Sequence, residues 1–573
     1  MRARGGAILP AATGRRTPLP APSSHVGVAL LLGALAAATA ARAQERGDAP
    51  AATAATPTSG RLRYVRIDTV DVFAPTDRGV LRQAVNALHY KTRADTVRRE
   101  LWFRPGDHVD DQMAAELERN LRALGLFAVV EARLVATGTP GEVDMEVTTR
   151  DRLTLNVGAG GSYVGGVSGF RTSLGESNFL GLGDRVAGSF TETSDGEYRG
   201  AFAYSDLHVL DTWHTANVRL GRTEEGDSAS VDVRRPFKFL VDPRSYGGAL
   251  AHEEAAIDYF RGGESVAEIP YRRNAFDADM AWGDGPREQR RFVGVTLAAE
   301  DVDYDTATGV QAADFDGAAD HWSVFLGPTV SWQWIDGFRK VEGLDTLDYV
   351  QDLVLGPSLS FSAGGRGRDA ADGTGGLQPE MALGAGLTAE PIGSVYTNLG
   401  VRGAIRYDDG DAVGWTATGQ ARAFALVHDR HTIAASAVFD GVEESQDVLR
   451  ELTLGEDNGL RGYRTRLLSG TRRVRCNLEH RFDTGLDVAT VRLGLLAFHD
   501  VGWVGEGGAL GEHVRSAGVG ARLGSPPLLG DALLRIDVAK PLDRVDGEDR
   551  DWQVSVTVGQ VFTFGGNLGR SAR

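Results

Sequence analysis

The chain has 573 residues, 42% of them hydrophobic and 24% charged, with a formal charge of −17. This composition excludes a disordered chain and leaves room for more than one domain. Positive charge is nearly all arginine and forms no basic stripe, so nucleic acid is not expected as a partner. A single cysteine, Cys476, excludes an intrachain disulfide and a thiolate zinc cluster.

Arg2, Arg4, Arg15 and Arg16 precede an apolar run at 26–41, and "ARA" at 41–43 supplies a small-x-small cleavage site. Residues 1–43 therefore read as a signal peptide, the run being short for a membrane span. Gln44 follows the cut, so no lipoprotein cysteine stands there. Residues 44–60 are rich in Ala, Thr and Pro without periodicity and read as a flexible linker.

Residues 61–150 read as a small α+β domain of order β-α-α-β-β. "RLRYVRIDTVDVF" alternates as a strand should, and "FRPGD" is a turn. "DDQMAAELERNLRALG" is the clearest helix. Asp110 or Asp111 can cap it, Met113, Leu117, Leu121 and Leu124 share a face, and Gly125 stands where a C-terminal glycine is expected. The Gly-Asp turn, the helix and "LGLF" before the strand "AVVEARLV" resemble the polypeptide-transport-associated (POTRA) domain.

From residue 151 the pattern changes to alternating stretches with Gly/Asp/Asn-rich breaks and no helical period. In "RRVRCNLEHRF", Val474, Cys476, Leu478 and Phe482 face one way and charged residues the other. In "WQVSVTVGQVFTF", Val554, Val556, Val558, Phe562 and Phe564 share one face. Beyond the leader no apolar run is long enough for a membrane helix, and only helices and closed barrels satisfy their backbone in lipid. The expected fold is thus a transmembrane antiparallel β-barrel over 151–566, with a C-terminal tail at 567–573. About 26 residues per strand and connection give roughly 16 strands. The breaks at 299–320, 364–376 and 407–414 read as long loops.

"LGESNFLGLGDRV" (174–186), "LRGY" (460–463), "FHDVG" (498–502) and "GVGARLGSPPLLGDALLRIDVAKPL" (518–542) resemble motifs of the BamA/TamA-like outer-membrane barrel superfamily, also called the bacterial surface antigen family. "LRGY", formed by Leu460, Arg461, Gly462 and Tyr463, resembles its lid-loop motif. Phe498, Asp500 and Gly502 match its Phe-x-Asp-x-Gly motif. Five strands follow "LRGY", which in a barrel of about 16 places the 440–470 segment between strands 11 and 12 on the outer side. "DTGLD" then reads as a short turn.

Alternation orients the side chains. Trp503 falls on the lipid face at an aromatic girdle, with Phe562 and Phe564 as further girdle residues, and Phe498, Asp500 and Glu479 face the lumen. The resemblance implies that the lid enters the barrel and that Arg461 contacts acidic wall residues, which by position are Asp500 and Glu479. It also implies a lateral seam between the first strand, with Gly158, Gly160 and Gly161, and the last, with Val554, Val556 and Val558. Glycines weaken strand pairing there or permit a bulge.

No G-x-S-x-G or H-E-x-x-H occurs, and the two histidines of "HDRH" (428–431) are expected on opposite strand faces. No enzyme activity, metal or cofactor is expected. What the resemblance implies is an outer-membrane protein of a diderm bacterium with its POTRA-like domain in the periplasm. Its partners would be outer-membrane lipid, unfolded or extended substrate proteins, and periplasmic accessory proteins. Its function would be inserting or translocating substrate proteins. A secretion pore for one partner and a passive structural or diffusion porin are the alternatives.

Overall fold

The computed structural model describes residues 59–73, 80–164, 167–194, 196–312, 319–345, 347, 350–448, 451–488, 491–507, 509–524, 533–545, 550–558 and 560–564. The expected signal peptide, nearly all of the linker and the C-terminal tail lie outside the described residues.

The N-terminal module runs β1 (Ser59–Val70), α1 (Val80–Leu88), α2 (Ala94–Arg99), β2 (His108–Asp110), α3 (Asp111–Ala123), β3 (Phe127–Ala136) and β4 (Glu142–Asp151). Its sheet order is β2-β1-β4-β3, with β1 and β4 parallel. The short edge strand β2 adds to the expected element order. The helix read from its cap forms as expected. Asp110 accepts a hydrogen bond from the Met113 amide at 2.8 Å, and Gly125 ends the turn at φ +71°. Leu117 and Leu121 lie against Leu62, Met145 and Val147, all within one buried cluster. Met113 and Leu124 cover its margin.

The barrel follows as β5 (Leu155–Val164), β6 (Val167–Phe179), β7 (Asp184–Thr193), β8 (Tyr198–Asp206), β9 (Thr215–Thr223), β10 (Asp227–Arg235), β11 (Arg244–Arg261), β12 (Glu264–Asp284), β13 (Gln289–Tyr304), β14 (His321–Trp334), β15 (Gly337–Glu342), β16 (Val350–Ala370), β17 (Gly375–Ile392), β18 (Val395–Asp408), β19 (Asp411–His428) and β20 (His431–Glu444). After the small hairpin β21 (Leu452–Leu454) and β22 (Leu468–Gly470) come β23 (Arg472–Val488), β24 (Val491–Gly505), β25 (Val514–Gly524), β26 (Leu533–Pro541) and β27 (Gln553–Val558). The sheet closes from β27 onto β5. β14 and β15 both pair with β16 in successive registers, so they form one bent stave.

The barrel among the described residues therefore has twenty staves rather than sixteen. The surplus lies mainly at the start, where residues 155–235 hold six staves of only 9 to 13 residues, and stretches read as loops are also wall. Residues 364–370 belong to β16, and 407–408 and 411–414 belong to β18 and β19 around a tight turn with Asp409 at φ +47° and Gly410 at φ +93°. Gly and Asp there mark wall positions as well as turns. The segment "DTGLD" is likewise strand, carrying a register shift between Asp483 and Leu486. The five strands expected after "LRGY" are all present.

Alternation divides the wall as expected. Phe170, Leu174, Phe190, Phe202, Leu220 and Leu250 are exposed on the outer face. Asp440, Asn477, Glu479, Asp500 and Asp537 are buried on the inner one. No helix among the described residues is long and apolar enough to cross a membrane.

Candidate functional site: an inward lid, a thin seam and an anchored C-terminus

The connection between β20 and β23 turns into the barrel. It joins staves 15 and 16 rather than 11 and 12, at the rim away from the module, because the wall has more staves than expected. The hairpin β21–β22 forms its neck. Asn458 fixes the bend beyond it: its Oδ1 accepts from the Gly455 amide at 2.9 Å and its Nδ2 donates to Thr453 O at 2.8 Å. Gly459, at φ +112°, then reverses the chain. Leu454, Leu460, Tyr463 and Leu467 pack on Val504 and Val514. Gly502 belongs to the Phe-x-Asp-x-Gly motif because a Cβ there would run into Leu454.

At the tip Arg461 is completely buried. Its Nε and Nη2 donate to the two oxygens of Asp500 at 2.8 Å each, and its Nη1 donates to Glu479 Oε1 at 2.8 Å. The guanidinium lies 3.5 Å from the Phe498 ring centroid. Gly462, at φ +87°, lets the backbone approach Ala539 and donates its amide to Glu456. Tyr463 Oη donates to Arg515 O at 2.7 Å. The expected lid motif and its two wall acids are thus in direct contact.

Several partners were not legible in the sequence. Asp537 Oδ2 stands 3.6 Å from Arg461 Nη1, and Asp537 also pairs with Arg522 at 2.6 Å. Asn477 bridges Asp500 Oδ1 at 2.8 Å and Gly459 O at 2.7 Å. The alternation of β26 placed Arg535 and Asp537 on one face but could not bring them to the lid. Arg461, Glu479, Asp500 and Asp537 each face an opposite charge, as burial demands, whereas buried Glu456 makes no ion pair among the described residues.

The seam is thin. Among the described residues β27 and β5 share one register pair, Val556 with Tyr163. Six pairs join β26 to β27 and ten join β5 to β6. Continuing that single pair sets Gly161 across from Val558, the last residue of β27. Gly158 and Gly160 therefore fall beyond the described part of the ladder. Val554 is exposed on the outer face and Ser555 is buried, which fits the expected parity.

The C-terminal segment departs from expectation. Phe562 and Phe564 are not in the girdle or in the last strand. The chain leaves β27 and turns inward, where both rings pack edge-on against Phe424 at 5.9 and 5.4 Å. Residues 343–345, beyond β15, meet them: the Phe564 amide donates to Asp345 Oδ1 at 2.5 Å and Gln560 Nε2 to Asp345 O at 2.8 Å. Arg481 ties both plugs together. It donates to Leu344 O at 2.7 Å, to Phe562 O at 3.3 Å and to Glu479 Oε2 at 2.8 Å, the carboxylate whose other oxygen holds Arg461. Trp503 does lie on the outward parity of β24, half-buried beside His513.

The module closes on the other rim. Arg122 forks onto Asp352 at 2.6 and 2.9 Å, Lys340 reaches Glu118 at 2.7 Å, and Arg119 lies 3.6 Å from the Phe338 centroid. Burial pushes the Glu118 carboxyl up, but bonds from Lys340, the Ala132 amide and Arg122 outweigh it and hold it below its ordinary value. Burial leaves Glu116 above its ordinary value despite the Leu240 amide and Arg287.

One histidine expectation is corrected. His428 and His431 face each other across a tight hairpin and share a face, and His431 Nδ1 lies 3.0 Å from His480 Nε2. Among the described residues no group of three or more His, Cys, Asp or Glu could hold a metal ion.

Solved outer-membrane barrels are similar to this chain. BamA from Haemophilus ducreyi lacking POTRA domains 1–3 aligns at 12% identity over 87% of this chain and 84% of that one, with a TM-score of 0.39. CdiB from Acinetobacter baumannii aligns at 11% identity over 87% and 73%, with a TM-score of 0.42. CdiB from Escherichia coli aligns at 13% identity over 87% and 76%, with a TM-score of 0.42. No protein-family model and no curated protein matches the chain.

Proposed function

We propose that the chain is an outer-membrane barrel of the BamA/TamA-like superfamily that inserts or translocates protein substrates, with its N-terminal module a POTRA-like domain in the periplasm. The observation that carries this reading is the closing ladder. A barrel whose seam shows one register pair among the described residues, while neighbouring ladders show six and ten, has an edge built to open. Three features support it. The apolar outer face and polar inner face suit a membrane-spanning barrel. The lid seals the lumen from the far rim through Arg461, and the free edge strand β3 of the module can add an extended chain by strand pairing. Substrate would be captured at β3 and presented to the seam.

The test is reconstitution of the full chain in lipid vesicles with an unfolded outer-membrane barrel substrate. Faster insertion than in empty vesicles, abolished by a Tyr163→Cys/Val556→Cys disulfide across the seam, is the expected result. Insertion no faster than in empty vesicles removes the reading.

A further inference from the structure

The lumen wall is charged unevenly. On β10–β17 the inward-facing arginines are either matched by acids or, like Arg290 and Arg368, buried against oxygen acceptors of the protein. Arg234 meets Asp232 and Asp279, and Arg366 meets Glu300 and Glu380. On β6–β9, beside the seam, the pattern differs. Arg171, Arg185, Arg199 and Arg219 are all exposed, and none makes an ion pair among the described residues. All four take the parity opposite to the exposed apolar residues Phe170, Phe190, Phe202 and Leu220 of the same wall, so they face the lumen.

Register gives their arrangement. Arg171 pairs with Thr191 and Thr191 with Arg199, so these two arginines share one row two strands apart, about 10 Å. Arg199 pairs with Thr223, and Arg219 lies four residues back along β9 toward the module, roughly 13 Å. Arg185 lies lower still, in the row of Ser205 and Asn217. The four climb from the module rim toward the lid rim. Arginines in a folded wall normally find carboxylates, and a row left without them in a chain of net charge −17 is open to an outside acid.

We propose that this wall is a track for an extended acidic polypeptide segment, whose carboxylates pair in turn with Arg185, Arg219, Arg199 and Arg171. The spacing favours a chain over a small anion. One phosphate cannot span guanidiniums about 10 Å apart, whereas an extended peptide at ~3.4 Å per residue presents a carboxylate to each. The proposal rests on the translocation reading, since it names the substrate class that the lumen would pass.

The test is fluorescence anisotropy of a fluorescein-labelled oligoglutamate with the full-length barrel in detergent. The expected result is salt-sensitive binding that falls on the order of tenfold or more in R171Q/R199Q/R219Q, while R171K/R199K/R219K retains it and R66Q/R98Q/R104Q, an equal charge loss on the module away from β3, leaves it unchanged. Absence of binding, equal binding by the lumen triple variant, or displacement by inorganic phosphate at matched ionic strength overturns the proposal. The insertion assay reads a separate property. Oligoglutamate binding through these arginines without faster insertion keeps the track and removes the insertase reading. Faster insertion with unaltered oligoglutamate binding in the lumen triple variant does the reverse.

Discussion

Arg461 carries its charge into a site with no exposure and places three guanidinium hydrogen bonds on Asp500 and Glu479, a planar fork that a lysine cannot copy. Removing it leaves Glu479 and Asp500 buried beside Asp537 with one fewer cation. Loss of a partner from a buried ion cluster costs about 3–5 kcal/mol. Arg461→Ala should therefore make the lid segment 451–466 rapidly cleavable by protease from the far rim, with Arg461→Lys intermediate. Equal cleavage of Arg461→Ala and the parent chain would show that the apolar contacts of Leu454 and Leu460 hold the lid alone. Gly462→Ala tests the backbone beside it. A left-handed conformation costs an L-residue about 1–2 kcal/mol, and the new Cβ would sit 2.9 Å from Ala539 Cβ. It should loosen the lid in the same assay while leaving every charge in place. The contact of Arg461 with wall acids was an expectation drawn from the motif resemblance, and alternation on β23 and β24 picked out Asp500 and Glu479 as the acids that face inward. Asp537 was not legible as a partner, because its neighbours across the lumen are set by barrel curvature rather than by chain spacing.

The elements that read most clearly were those whose signals are local. Helix α3 announced itself by a cap, an apolar face and a closing glycine, and all three stand in the structure. What it docks on was not legible, since Asp352 lies far along the chain and nothing in "DYVQDLV" marks it as a partner. This docking carries a pH prediction. The folded Glu118 carboxyl lies below its ordinary 4.5, so its contribution is complete above that value and is lost as pH falls through the folded one. Glu116 is shifted the other way and opposes this trend, so Glu118→Gln isolates the effect. Hydrogen exchange should show α3 amides well protected near neutral pH and losing protection in the acid range below 4.5 after correction for intrinsic rates. In Glu118→Gln that step should be flattened. An unchanged acid step in the variant would assign it to another group.

At the scale of the whole molecule the barrel, its antiparallel order and its five strands beyond the lid were readable, while the number of staves was not. Counting residues per strand assumes long far-rim loops, and this wall instead begins with six staves of only 9 to 13 residues and continues through Gly/Asp-rich stretches such as 364–370. The inward turn of the C-terminus was hidden for a related reason: Phe562 and Phe564 keep the parity of Val554 and Val556, and only a partner outside the strand, Phe424, diverts them. That diversion leaves Gly158 and Gly160 beyond the last described ladder pair, so the state of the seam depends on what holds the C-terminal segment. Two kinds of contact do so, and they separate by mutation. Phe424→Ala removes a buried ring at a cost of about 3–5 kcal/mol, and although Arg481 lies over that ring at 5.2 Å, the substitution takes no hydrogen bond from Glu479. Arg481→Ala removes the bonds to Leu344 O and Phe562 O and, in addition, one cation from Glu479, which Arg461 shares. Carboxypeptidase digestion read by intact mass should stop before Phe564 in the parent chain and pass it in both variants. Protease cleavage of the lid should rise only in Arg481→Ala. Lid cleavage at the parent rate in Arg481→Ala would mean that the lid and the C-terminal anchor are independent plugs, with Glu479 held firmly enough by Arg461 alone.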